Sequence, residues 1–492
     1  MSSPSHHVRR TAWSAAVLTA VLSVLSVAAV PASASAGAAG PKAPHSSTPV
    51  GSNPSQLTDV NGTLFFSAND GAHGLELYRS DGTSAGTVLV KDIWKGSGSS
   101  YPSHLTAVGT KLFFVASDKK HGPELWVSDG TAAGTAMLRD IHRGLPGSNI
   151  VSTAAFGDEL FFSAQSPKRG QELWRSNGTT AGTVLVKDIW PGPGSSIPVN
   201  LFDLDGTLFF SAQDPTHGAE LWKSDGTGAG SQMVRDIKPG KAGSFPSGFT
   251  DFNGTLALVA DDGVAGSELW KSDGTADGTV LVSDVNPGGP GSQPAGLCVV
   301  GTVLFFAATN GYFGRELWRS DGTTTGTRLV TDIVRRTGNS FPSLLTPLGS
   351  ILLFVAQDRI SGGPGHGPEL WRSDGFYTGT VLVKDLVPGT GSPFNGLTTP
   401  IFMADDQTLL FSANDGVAGM ELWRSDGTDA GTVLVKDIMS GPGSGITSPA
   451  SPALVGATLY FAANDGTHGQ ELWRSDGTEA GTVLVKDIAP GS

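Results

Sequence analysis

The 492-residue sequence contains one cysteine, Cys298, so no disulfide can form within the chain whatever its compartment. Cys298 lies in the apolar run Gly296-Leu297-Cys298-Val299-Val300, where a small buried hydrophobe is the expected role. Basic residues are scarce as well, with 32 Lys and Arg against 45 Asp and Glu and a formal net charge of −13. Without a basic field the chain has little to offer phosphate charge, which argues against nucleic acid and anionic membrane as partners. No window keeps a helical hydrophobic period. A Gly-x-Ser-x-Gly elbow, a phosphate-cradling loop and a His-Glu-x-x-His helix are all missing. After Val30 no apolar run is long enough to cross a bilayer.

The N-terminus is the one long apolar stretch. His6, His7, Arg9 and Arg10 precede Ala12 to Val30, and Ala34-Ser35-Ala36 offers small residues for cleavage. This reads as a secretory signal peptide over 1–36, with an uncleaved anchor as the alternative, followed by a flexible Ala/Gly/Pro/Ser linker over 37–51. Arg9-Arg10 alone does not choose between general and twin-arginine export. The expected product is a secreted, extracellular monomer with no membrane contact after cleavage.

What the chain has in quantity is glycine and proline, 68 and 30 residues, recurring at fixed places between apolar runs. Glu-Leu-Trp or its variant recurs with glutamates at Glu76, Glu124, Glu172, Glu220, Glu268, Glu316, Glu369, Glu421 and Glu471. The first six are 48 residues apart, and the later spacings of 53, 52 and 50 mark small insertions. Each unit carries four short runs rich in β-branched and aromatic residues, bounded by turn formers. In the first unit Val60-Asn61-Gly62-Thr63 reads as a tight hairpin, Asn69 to Leu75 as a moderate loop and Ser80 to Gly86 as a longer turn. The longest link, Trp94 to His104, has the reach to return from an outer strand to the inner strand of the next unit, roughly 14 Å away at three strand spacings. The pattern predicts an all-β chain, a β-propeller of nine four-stranded blades over 52–492, with eight blades and a displaced unit as the alternative. In this topology the ring closes by packing of the last unit on the first, with no shared sheet.

The segment Glu421-Leu-Trp-Arg-Ser-Asp-Gly-Thr-Asp-Ala-Gly-Thr432, with close copies in all nine units, resembles the bacterial ELWxxDGT repeat family. The resemblance spans 52–492, implies a propeller, and carries no activity with it. Three units depart from it: Tyr78 stands for Trp, Asn177 for Asp and Phe376 for Thr.

Recurrence governs the reading of chemistry. An active site is a unique constellation, whereas Asp92, Asp140, Asp188, Asp236, Asp284, Asp332, Asp385, Asp437 and Asp487 fill one position nine times. They are expected to bond turns and edges, as are the Asp-Gly-Thr acids, and the repeat glutamates to pair with nearby Lys or Arg. His73, His121, His217, His366 and His468 lie too far apart on packed sheets to share one zinc ion. Calcium is a lesser option at Asn69-Asp70, Asn414-Asp415 and Asn464-Asp465, where a plain turn is favoured, so no cofactor, metal site or catalytic residue is assigned.

Function is expected where the copies disagree. On the face carrying the long links lie Trp94 and Trp190, Tyr312 and Phe313, and a Gly-rich insertion around Arg359 to Gly365, with Phe376 and Tyr377 on the opposite face. Exposed aromatics stack on sugars or anchor a protein partner. The leading expectation is therefore a non-enzymatic binding or scaffold protein whose ligand is a glycan or a surface protein. The alternatives are a propeller hydrolase or lyase with an asymmetric channel-mouth site, and a structural component of envelope or matrix.

Overall fold

The computed structural model describes residues 51–358, 365–394, 401–405, 407–447 and 452–490. The expected signal peptide, all of the linker except Gly51, and insertion residues 359–364 lie outside the described residues.

The first unit forms β1 (Ser55–Val60), β2 (Thr63–Asn69), β3 (Leu75–Ser80) and β4 (Val88–Lys91). They pair antiparallel in chain order, and the same four-stranded sheet is repeated nine times. Asn61 and Gly62 both have positive φ, 50° and 87°, the geometry of a two-residue turn that matches strand twist. First strands of successive blades neighbour one another and line the central channel. The architecture is a nine-bladed β-propeller, with one short 3-10 turn among the described residues, at Tyr377–Gly379.

Strand periodicity explains how blades stack. In β2, Leu64, Phe66 and Ala68 face the ninth blade, while Phe65 between them faces the second. Trp126 of blade 2 packs on Leu77, Val90 and Ile93 of blade 1, and equivalent residues repeat this contact around the ring. Each large side chain so buried contributes about 1.5–3 kcal/mol. The buried hydrophobes divide into nine clusters, one between each pair of neighbouring blades. A row of nine blades has only eight internal interfaces; the ninth, in which Tyr460, Leu472 and Val485 meet Leu57, Phe66 and Tyr78, closes the ring.

The recurring Ser-Asp-Gly-Thr-x-x-Gly-Thr segment is a turn in which each fixed residue has a task. Asp81 Oδ1 accepts from the backbone N–H of Thr83 at 2.9 Å and from its hydroxyl at 2.7 Å. The Thr83 hydroxyl accepts from Gly86 N–H at 3.0 Å, and Gly82 N–H donates to Ser80 Oγ at 3.0 Å. A Cβ on Gly86 would collide with the Asp81 carboxylate. Asn177 keeps the pattern, accepting from Thr179 N–H and hydroxyl. Phe376 has no hydroxyl to give, and its turn tightens into the 3-10 segment with Gly379 N–H donating to Phe376 O instead.

Candidate functional site

The repeat glutamate organises the face that carries the inter-blade links. Glu220 accepts from Ile237 N–H at 2.9 Å, Lys238 N–H at 3.3 Å, Ser244 N–H at 2.9 Å and the Ser244 hydroxyl at 2.6 Å. One buried carboxylate thus ties down both ends of a link. The expected pairing with Lys or Arg is not what the fold uses: backbone N–H groups and a serine are the donors, because the side chain is fully buried where a flexible cation would have to be desolvated. Burial raises these carboxyls and the donors draw them back down. Glu172 and Glu316 are pushed up to about 7, and Glu369, which has no serine donor, to about 8.

Ring closure uses the same device. Glu471 of the last blade accepts from Ile488 and Ala489 N–H of its own link and from Ser52 just before the first blade, N–H at 2.8 Å and Oγ at 2.6 Å. Lys486 Nζ then reaches Thr87 O in the first blade at 2.8 Å, as Lys91 Nζ reaches Thr135 O at 2.6 Å one blade on.

The other recurring polar groups are committed in part, since Oδ1 of Asp92 and of its eight counterparts is buried with no hydrogen-bond partner among the described residues. Asp92 Oδ2 accepts from Gly96 N–H within its link. Asn69 and Asp70 bond the N–H groups of their own loop. Each repeat histidine pairs inside its own blade, His73 Nδ1 with Asp70 at 2.7 Å and His468 Nδ1 with Asp465 at 2.7 Å. Among the described residues no three His, Cys, Asp or Glu side chains converge on a metal position. Cys298 is buried, and burial pushes its thiol up to about 12.

The non-recurring residues are distributed unevenly. Antiparallel order places the β2–β3 loops, the links and the entrance to each innermost strand on one face. Nine of the thirteen exposed large hydrophobes of the described residues lie there, Tyr101, Ile197, Phe245, Tyr312 and Phe341 among them. Tyr312 is 66% exposed and in edge contact with half-buried Phe313 at 4.7 Å between ring centroids. Trp94 and Trp190 are half-buried, each indole lying over the glycine of its own link, Gly98 and Gly194. Val334 and Val387 fill the same space over Gly338 and Gly391 in their own links. Phe376 and Tyr377 are exposed on the opposite face, with the Arg319 guanidinium 4.9 Å from the Phe376 ring.

The sharpest departure from the repeat is at the channel mouth. The residue after the link serines Ser52, Ser100, Ser148, Ser196, Ser244, Ser292 and Ser340 is Asn53, Tyr101, Asn149, Ile197, Phe245, Gln293 or Phe341, and all seven have φ between 44° and 52°. The backbone there is held from both sides. Ser196 O accepts from Gln213 N–H of the next blade, and Ile197 N–H donates to Gln171 O of the previous one at 3.1 Å. Asn tolerates this left-handed conformation, whereas bulky and β-branched residues are strained by it. Four blades nonetheless hold Tyr, Ile or Phe at this position, and all four side chains are exposed. Ser-x-Pro is visible in the sequence at 100–102, 196–198, 244–246 and 340–342, but the positive φ that makes the middle residue informative is not.

No family model matches the chain, and no curated protein matches it. Among solved structures it is similar to puromycin hydrolase, at 16% identity over 76% of this chain and 58% of that one, with a TM-score of 0.37. A structure from work on two prolyl endopeptidases gives 12% identity, 76% and 55% coverage and a TM-score of 0.42. The GH74 enzyme of Niastella koreensis gives 12% identity, 89% and 74% coverage and 0.34. The chain thus spans little more than half the length of the hydrolase and the endopeptidase.

Proposed function

We propose that the protein works outside the cytoplasm as a non-enzymatic binding or scaffold propeller, holding a glycan or a surface protein on the face of its inter-blade links. One observation supports this reading above the others. At the mouth position Asn and Gln satisfy the fold in three blades, yet Tyr101, Ile197, Phe245 and Phe341 stand there exposed and with positive φ. Apolar exposure and backbone strain both oppose folding, and their recurrence together in four blades supports residues kept for a partner. Three of these side chains, Ile197, Phe245 and Phe341, carry no titratable group, and all four suit adhesion by contact area.

The test is a binding screen of the full chain against immobilised polysaccharides and immobilised extracellular proteins, run beside the variant Tyr101→Asn/Phe245→Asn/Phe341→Asn. The expected result is at least one ligand that the wild type retains and the variant releases, by tenfold or more in affinity. Equal retention of every ligand by both proteins, and by Ile197→Asn as well, refutes the reading.

A further inference from the structure

Between the links that enter and leave blade 3 lies a pocket of about 210 Å³, lined by Asn149, Val151, Gln165, Gln171, Ser195 and Ile197. It is smaller than the roughly 300–1,000 Å³ of sites for drug-sized ligands, so it has room for one ring-sized group. Its lining holds no charged residue, in a chain whose net charge is −13. Part of the lining is fixed scaffold: Gln171 Nε2 donates to Asn149 O at 2.9 Å and to Ser163 Oγ at 3.0 Å.

Gln165 differs from its counterparts in other blades. Gln213 and Gln357, at the same place in their blades, each donate Nε2 to a link carbonyl, Ser195 O at 2.9 Å and Asn339 O at 3.0 Å. Among the described residues the Gln165 side chain makes no such bond, and its amide stands at the pocket with two donors and an acceptor. Ser195 Oγ accepts from Gln171 N–H at 3.1 Å and keeps its own hydrogen to donate. The same lining holds two partly exposed aliphatic side chains, Val151 at 39% and Ile197 at 45%.

Neutral donors and acceptors beside an apolar wall match a pyranose, which carries hydroxyls at its edge and C–H groups on its face. We propose that this pocket seats one ring of a neutral glycan, a proposal that rests on the link face being the binding face. The Gln165 amide and Ser195 hydroxyl bond sugar hydroxyls, and Val151 and Ile197 cover the ring face. An anionic sugar or a peptide terminus would bring a charge that the lining leaves unpaired, at a cost in desolvation.

Calorimetric titration of the full chain with neutral gluco-, manno-, galacto- and xylo-oligosaccharides tests this, with uronate oligosaccharides and short apolar peptides as the other arms. Binding is expected from a neutral oligosaccharide and not from the other arms. Gln165→Leu and Ile197→Asn should each weaken it tenfold or more with no loss of melting temperature, since Asn already occupies the equivalent position at Asn53 and Asn149. Preference for uronates or peptides, no binding by any neutral sugar, or affinity unchanged in both variants overturns the proposal. If those results come with a ligand that the triple mouth variant releases, the glycan assignment falls and the link-face function stands. If the mouth variant also binds as wild type, both fall.

Discussion

Glu220 closes a link with four hydrogen bonds from a side chain that no water reaches. Glu220→Ala leaves the Ile237 and Lys238 N–H groups and the Ser244 hydroxyl with no acceptor, while Ser244 N–H keeps Ala219 O, and each group so left costs about 1–3 kcal/mol. The variant should lose at least about 3 kcal/mol, read as a lower urea midpoint. The same carboxyls set a pH dependence. Burial raises Glu124, Glu172, Glu316 and Glu421 from 4.5 to about 7, so between these values the fold holds protons that the unfolded chain has released. Their contribution is complete below pH 4.5 and is lost as pH rises to 7. His73, His217 and His468, raised by hydrogen bonds to their aspartates, lose their contribution in the same direction above 6.5. Burial tends to raise Asp70 and Asp214, but their histidine and backbone partners outweigh it and lower them from 3.8 to about 2, so their contribution disappears only in stronger acid. The urea midpoint should therefore be highest near pH 4.5 and fall toward pH 8; a midpoint that rises over that interval contradicts the assignment. The glutamates were legible in the sequence as structural, but their donors were not. Ser244 is 24 residues from Glu220, and nothing in composition links the two.

At the scale of the element, the turn between third and fourth strands shows how a sequence motif becomes geometry. Gly230 has no room for a Cβ because the Asp225 carboxylate occupies that space. Gly192, in a link, has φ +91° and open space around it. Gly230→Ala must displace the aspartate from Thr227 and should cost about 2 kcal/mol or more. Gly192→Ala pays only backbone strain, about 1 kcal/mol. Paired urea titrations of the two variants check the order. Strands and hairpins were readable because period-two alternation and Asn-Gly pairs act within a few residues. The boundary from Val60 to Thr63 falls where local chemistry places it. Link conformation was not readable, because it depends on the carbonyl of one blade and the N–H of another. The Ser196 to Ile197 step is such a case.

At the scale of the whole molecule, nine interfaces among nine blades require the chain ends to meet, and the segment from Gly51 to Asn53 completes the last blade. Removing residues through Asn53 takes both Ser52 donors from Glu471. Hydrogen exchange should then quicken at the blade 9 link, Ile488 and Ala489, with blade 4 unchanged; uniform exchange across the ring would show that closure does not depend on this segment. Blade number and four-strand order were legible because the repeat states them nine times. Closure by packing without a shared sheet was legible too, but the clasp by Ser52 joins residues 419 positions apart, which only the closed ring brings together. The same division runs through function: what recurs builds the ring, and what varies at the mouth is held there against the preference of the fold. The melting temperature of Tyr101→Asn/Phe245→Asn/Phe341→Asn tests this most directly. Relief of about 1 kcal/mol at each position should raise it by about 3 °C for a ring of this size. A melting temperature below wild type would mean that these residues hold the fold together, contrary to the role given them here.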